Sequence, residues 1–269
     1  MGVDILPDTH IDVEEVSVAF ASKAGETLAL ENVSFAVQEG EFVSIVGPSG
    51  CGKSTILNVI AGLADTLSGR VSIKGKATNG IPKDIGYVFQ SDLLLPWRTV
   101  FDNVALALKL RGYRTEKMGP AVEDWLTRVG LAGFRNHYPH QLSGGMRKRV
   151  ALAQTLVYNP ELILMDEPFS ALDVQTRNMM ENELLDLWSG LRKTVLFVTH
   201  DLEEAVSLSD RIILLTARPG RVKASYIIDL PRPRNVTEVR FNVRFRELIE
   251  QIWQDLKTEV TVAYAASRQ

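Results

Sequence analysis

The chain has 269 residues, 45% of them hydrophobic and 23% charged, which excludes collagen-like, low-complexity and intrinsically disordered classes and describes a chain that folds around its own core. Lys and Arg total 30 against 33 Asp and Glu, a formal charge of −3, too near neutral to mark a nucleic-acid binder on electrostatics. A lone cysteine, Cys51, rules out an intramolecular disulfide framework and a cysteine-ligated zinc cluster, and fits a reducing compartment.

At the N-terminus, MGVDILPDTH carries Asp4 and Asp8 and no basic stretch leading into an apolar one, so a cleaved secretory signal is not expected; Leu6 stands where N-myristoylation needs Ser or Thr. A cytosolic protein is the expectation. Residues 11–46 read as strand-rich: Ile11, Val13, Val16, Val18 and Phe20 mix alternation with β-branching, then LALENVSFAV and FVSIV follow, separated by Gly25 and Gly40. From 53 to 62 the spacing turns helical, and RVSI (70–73) and GYVF (86–89) return to short strands. Between 99 and 158 the apolar spacing predicts three amphipathic helices, interrupted by Gly112, Gly130 and Pro139, as a helical insertion. LILM (162–165) and TVLFV (194–198) are apolar on both faces, which suits buried parallel strands joined by a helical crossover over 173–190. No apolar run approaches the roughly 20 residues a bilayer requires, so any membrane role is peripheral. PRPRN at 231–235 has linker-like composition and precedes a helix-like tail in which FNVRFRELIEQIW is amphipathic.

Chemistry concentrates first at Gly47-Pro48-Ser49-Gly50-Cys51-Gly52-Lys53-Ser54-Thr55, a match to G-x-x-x-x-G-K-[ST] lying between an apolar strand and a helix. Glycines there let successive backbone N–H groups turn inward on phosphate oxygens, and the helix N-terminus adds positive potential. Lys53 is placed to reach the β- and γ-phosphates of ATP, and Ser54 to ligate Mg²⁺. Cys51 fills one of the variable positions and reads as inert. The strand LILM ends in Asp166, with Glu167 next. An acid at the carboxyl edge of a parallel sheet can hold Mg²⁺, which makes Asp166 the magnesium candidate, and Glu167 can take a proton from the attacking water. Taken alone, the two are also readable as exposed acids at a strand end.

Leu142-Ser143-Gly144-Gly145-Met146, followed by Arg147-Lys148-Arg149, opens a helix 23 residues before Asp166. With this turn in place, the sequence from about Val13 to Leu230 resembles the ATP-binding cassette (ABC) family, whose signature is usually LSGGQ; Met146 departs at the last position. The resemblance implies an α/β fold: a P-loop NTPase core with a mainly parallel sheet, an N-terminal antiparallel β subdomain and a helical subdomain. The ATPase domain would span 11–230, the helical subdomain about 91–158 and a C-terminal helical extension 231–269. It further implies Gln90 as the glutamine-loop residue, acting in catalysis with Lys53, Glu167 and His200 and toward the metal with Ser54 and Asp166. Ser170-Ala171-Leu172-Asp173 becomes the loop that brings Asp173 to the nucleotide, and His200 the switch histidine. Phe20 lies where the family stacks an aromatic residue on adenine; a core phenylalanine on an alternating strand is the competing reading. Ser143, Gly144 and Gly145 would close over ATP held by a second copy, so the working unit is a homodimer or a pair of ATPase subunits.

LLPWRTVFDNV, from Leu94 to Val104, resembles the same stretch in ATPases of bacterial importers for nitrate, aliphatic sulfonates and taurine. That implies an ATPase at the cytoplasmic face of the bacterial inner membrane, docked on an integral membrane permease supplied by an external solute-binding protein, with no nucleic-acid partner. Internal packing of these apolar residues is the alternative. Eight basic residues between Arg218 and Arg246, against Asp229 and Glu238, form either a solvated surface or a patch for anionic lipid headgroups. Two rival functions stand beside the importer: a soluble ABC ATPase acting on nucleic acid or the ribosome, and a nucleotide-binding regulator without turnover.

Overall fold

β-branched residues alternating with polar ones set the first sheet. The structure is a computed structural model that describes residues 8–22 and 25–266, so the readings at Asp4 and Leu6 lie outside the described residues. β1 (Thr9–Ser22) and β2 (Gly25–Gln38) form a long antiparallel hairpin. After β3 (Phe42–Val46) and α1 (Lys53–Ile60), β4 (Ser68–Ile73) pairs with β1 and β5 (Lys76–Ala77) with β4, giving a sheet of order β2-β1-β4-β5. This is the expected antiparallel subdomain.

β6 (Ile85–Val88) is followed by the helical insertion of α2 (Val100–Leu110), α3 (Thr115–Arg128) and α4 (Gly144–Leu156), with a 3₁₀ turn at Pro139–Gln141. Then come β7 (Leu162–Asp166), α5 (Val174–Leu191), β8 (Thr194–Thr199), α6 (Leu202–Leu208), β9 (Arg211–Leu215) and β10 (Val222–Ile227). α7 (Val236–Val239) and α8 (Val243–Ala266) close the described chain. The second sheet has order β10-β9-β3-β8-β7-β6, parallel throughout except for β10, which runs antiparallel to β9 along the edge. Every residue of β3 and β8 is buried, as a strand covered on both faces requires.

Strand periodicity sends neighbouring side chains to opposite cores. Phe42, Val195 and Phe197 join the helical insertion through Trp125, Leu126, Phe169 and Leu184. Val43, Ile45, Leu196 and Val198 face α1 and the antiparallel sheet through Ile56, Leu57, Ile11 and Leu30. Each such Leu, Ile or Phe contributes about 1.5–3 kcal/mol when fully buried.

The C-terminal tail packs on its own domain. Phe245, Leu248, Ile252 and Leu256 recur at three- and four-residue spacing along α8 and meet Ala205, Ile212, Leu214 and Tyr226. Most of the basic residues from 218 to 246 have acidic partners within the chain. Arg221, Lys223, Arg232, Arg240 and Arg244 pair with Glu31, Glu259, Asp210, Glu203 and Asp229. Arg234 is buried and donates to the carbonyls of Ser209 at 2.6 Å and Leu230 at 2.9 Å, which ties the PRPRN segment to α6.

Candidate functional site

The phosphate loop leaves β3 at Val46 and enters α1 at Lys53. Gly50 and Gly52 have φ of 77° and 102°, the left-handed region that glycine adopts without penalty. At Gly52 a Cβ would stand 2.5 Å from Leu30 Cδ2, so only glycine lets the loop pass under β2. No side chain caps α1 and its first turn holds no acid, which leaves the first amide N–H groups and the positive helix end for an anion. Ser49, Gly50 and Ser54 are exposed. Lys53 is 6% exposed and lies over the loop, its Nζ donating to the carbonyls of Gly47 at 3.0 Å and Pro48 at 3.1 Å. Cys51 is buried, and burial pushes its thiol up, so it stays protonated and unreactive.

Across from the loop, Ser54 Oγ donates to Asp166 Oδ1 at 2.8 Å. Burial raises the Asp166 carboxyl, with the Ser54 hydrogen bond and Lys53 opposing the shift. A hydroxyl and a carboxylate already in contact at a phosphate loop are the oxygen donors Mg²⁺ prefers. Among the described residues no group of three or more His, Cys, Asp or Glu side chains converges on a metal position, so phosphate and water oxygens complete the shell. The donor set fits Mg²⁺ carried with a nucleotide.

Adjacent parallel strands place Glu167 after β7 and His200 after β8 side by side. Glu167 Oε2 lies 2.9 Å from His200 Nδ1, and Oε1 lies 3.9 Å from Lys53 Nζ. The Glu167 backbone has φ 43° and its N–H donates to Val198 O at 2.9 Å; a left-handed non-glycine residue costs about 1–3 kcal/mol and is held there by its surroundings. Gln90 Nε2 donates to Ser170 Oγ at 3.3 Å, and Ser170 Oγ donates to Glu167 O at 2.9 Å. Gln90, Glu167, His200, Lys53, Ser54 and Asp166 therefore meet at one sheet edge.

Five other expected residues, Ser143, Gly144, Gly145, Asp173 and Phe20, make no such contact with that edge. Ser143 caps α4, accepting from the Met146 N–H at 3.3 Å, and a Cβ on Gly145 would reach 2.8 Å from Thr176 Cγ2. Among the described residues no hydrogen bond or ion pair joins Ser143, Gly144 or Gly145 to residues 47–55. Asp173 caps α5 through the Thr176 N–H at 3.0 Å, which holds its carboxyl below the usual range. Phe20 is 48% exposed opposite Thr27, so the core reading fails and a free ring face remains, on the hairpin whose Leu30 touches the phosphate loop.

Sequence reasoning missed the tie between the glutamine loop and the signature helix. Lys148 Nζ bonds Gln90 O and lies 2.8 Å from Asp92 Oδ1, while Arg147 Nε donates to Asp92 Oδ2 at 3.2 Å. The basic run 147–149 was the available signal. The LLPW segment divides: Leu94 packs on the core, whereas Trp97 is 72% exposed. Phe89, Leu93, Leu106, Leu110 and Tyr158 line a cavity of about 290 Å³.

Residues 30–170 match the ABC transporter family. The chain is 48% identical to an uncharacterized ABC transporter ATP-binding protein of Methanocaldococcus jannaschii over 91% of both chains. It is 40% identical to the nitrate import ATP-binding protein NrtD of Synechocystis sp., over 96% of this chain and all of that one. Relatives named as aliphatic sulfonates and taurine import ATP-binding proteins share 40% and 42% identity. The dimeric structure of an ATP-binding cassette in a post-hydrolysis state, bound to ADP and Pi, superposes with a TM-score of 0.72 at 36% identity, covering 82% of this chain and 100% of that one. With residues 30–170 matched and relatives at 40–48% identity over at least nine tenths of its length, the chain belongs to the ABC transporter family as an ATP-binding cassette.

Proposed function

We propose that this chain is the ATP-hydrolysing subunit of an ABC importer, working as a dimer at the cytoplasmic face of a bacterial inner membrane and powering uptake of a small anion or zwitterion of the nitrate, sulfonate or taurine kind. The observation that carries the reading is the convergence of six residues from four separated segments at one sheet edge, with Ser54 on Asp166 at 2.8 Å and Glu167 on His200 at 2.9 Å.

Lys53 exchanges its two carbonyl partners in the loop for β- and γ-phosphate oxygens, and the N–H groups of 49–55 hold the remaining phosphate charge. Mg²⁺ bound with ATP neutralises charge on the phosphate oxygens, with Ser54 and Asp166 as its protein donors. Glu167 accepts the proton of the attacking water, and His200 keeps that carboxylate oriented and reaches toward the γ-phosphate. Phe20 stacks on adenine. Ser143, Gly144 and Gly145 from the second copy cover the triphosphate, with Asp173 at the seam. The groove at Phe89, Leu93 and Leu110 receives a permease segment. Relatives named for nitrate, sulfonate and taurine import support the cargo class.

Recovery of the chain from membranes tests the transport reading. An integral membrane protein that co-purifies and raises ATP turnover is the expected result; recovery with ribosomes or DNA overturns it.

A further inference from the structure

Beneath the segment that presents His200, two carboxyl groups face each other out of water. Glu181 sits midway along α5 and is fully buried; Glu204, in the first turn of α6, is 5% exposed. Among the described residues, neither carboxyl oxygen of Glu181 has a hydrogen-bond donor. Glu204 itself accepts a short hydrogen bond from Thr199 Oγ1, and that hydroxyl accepts from the Asp201 N–H at 2.9 Å. Thr199 and Asp201 flank His200, so one carboxyl fixes the backbone on both sides of the histidine. The Asp201 carboxylate caps α6 through the Glu203 and Glu204 N–H groups and receives Arg177 at 3.4 Å.

The charged groups facing the pair are Arg177 from α5, Asp201 at the start of α6 and Arg240 at the end of α7. Arg240 also donates to Asn178 at 3.1 Å and lies 3.4 Å from the exposed Glu203. Arg177 is set against Asp201 and Arg240 against Glu203, so the two guanidiniums do not supply the charge to hold both carboxylates of the pair ionised.

We infer that Glu181 and Glu204 share a single proton and act as a positioning pair that holds the Thr199–Asp201 turn, and with it His200, in place for turnover. This rests on the catalytic role proposed for His200. Burial pushes Glu181 up to about 7 and Glu204 up to about 8; the charge of Glu181 adds to the rise at Glu204, while the contact with Glu204 works the other way at Glu181. The unfolded chain releases these protons near pH 4.3, roughly. Folding therefore binds protons, and the pair's stabilising effect is full at acid pH and declines as pH rises through its folded titration. With both carboxyls charged, repulsion loosens the Thr199 clamp.

The test compares MgATP turnover and thermal unfolding of the full chain between about pH 6 and about pH 9. In Glu204→Gln the amide oxygen still accepts from Thr199, so kcat at neutral pH stays within about twofold while the alkaline fall in Tm and kcat flattens. Glu204→Ala and Thr199→Val, which each remove one side of the clamp, lower kcat about tenfold with KM for ATP unchanged. A Gln variant that keeps the wild-type alkaline slope of Tm overturns the shared proton. Folded Ala and Val variants with wild-type kcat overturn the positioning. A His200→Ala chain separates the two levels: undiminished turnover would sink the role of His200 and the positioning with it, whereas the difference in alkaline slope of Tm between wild type and Glu204→Gln reports the pair whatever His200 does.

Discussion

The phosphate loop and the signature turn are both glycine-rich corners that open a helix, yet only the first finds its chemistry within the chain. At the start of α1, Lys53 lies 3.9 Å from Glu167, Ser54 bonds Asp166 and Glu167 meets His200, so a cation, a hydroxyl, two carboxyls and an imidazole are gathered at the ends of β3, β7 and β8. At the start of α4, Ser143 bonds only its own helix and Gly145 is packed against Thr176. The second corner is finished as a surface. One chain thus carries two unlike corners, and on the function proposed above a second copy brings them together.

The largest expected effect falls on the self-contained half. Glu167→Gln should slow steady-state ATP hydrolysis by about 10²–10⁴-fold while leaving ATP binding intact, so that the dimer accumulates with ATP on a sizing column; comparable turnover would remove Glu167 as the base. Ser143→Asp should be nearly as damaging to turnover, by about a hundredfold, because like charges set against each other cost several kcal/mol. Aspartate caps a helix as well as serine does, so melting temperature and ATP affinity of the single chain should not move. Loss of ATP affinity in that variant would mean that the signature turn serves its own chain.

Lys53→Ala removes charge-assisted hydrogen bonds of about 1.5–3 kcal/mol, a tenfold to hundredfold weakening of ATP binding by calorimetric titration; an unchanged affinity would break the phosphate-loop assignment. The smallest effect belongs to Phe20. Phe20→Ala should weaken ATP about two- to tenfold, the worth of one ring stack, and Phe20→Tyr should restore it. A nucleotide affinity indifferent to both changes would leave the exposed ring without a role at the site.

Contiguous motifs were legible because backbone geometry is encoded locally: 47–55, 142–146 and Asp166-Glu167 each need glycines or acids at fixed spacing, whatever the tertiary context. The parallel strands were legible from runs apolar on both faces. The β9–β10 edge and the short helices α6 and α7 were not, since α7 spans Val236–Val239 only and its place depends on Asn182 and Asn178 far back in the chain. Basic residues from 218 to 246 read as a surface in one dimension, but their partners include Glu31, Asp210 and the carbonyls of α6. Alternation could not place Phe20 either, because a strand face that buries Val18 near its middle is open at the hairpin tip. The carboxyl pair at Glu181 and Glu204 was invisible for a related reason: on paper each is an ordinary helix glutamate, and only packing removes its water.

Mixing two disabled chains tests the divided site most directly. Lys53→Ala spoils the phosphate loop and Ser143→Asp the signature turn, so a heterodimer of the two has one site with both lesions and one with neither. Hydrolysis in an equal mixture should rise well above the sum of the separate variants, toward about a quarter of wild type if pairing is random. A mixture no more active than that sum would contradict a site shared between two copies.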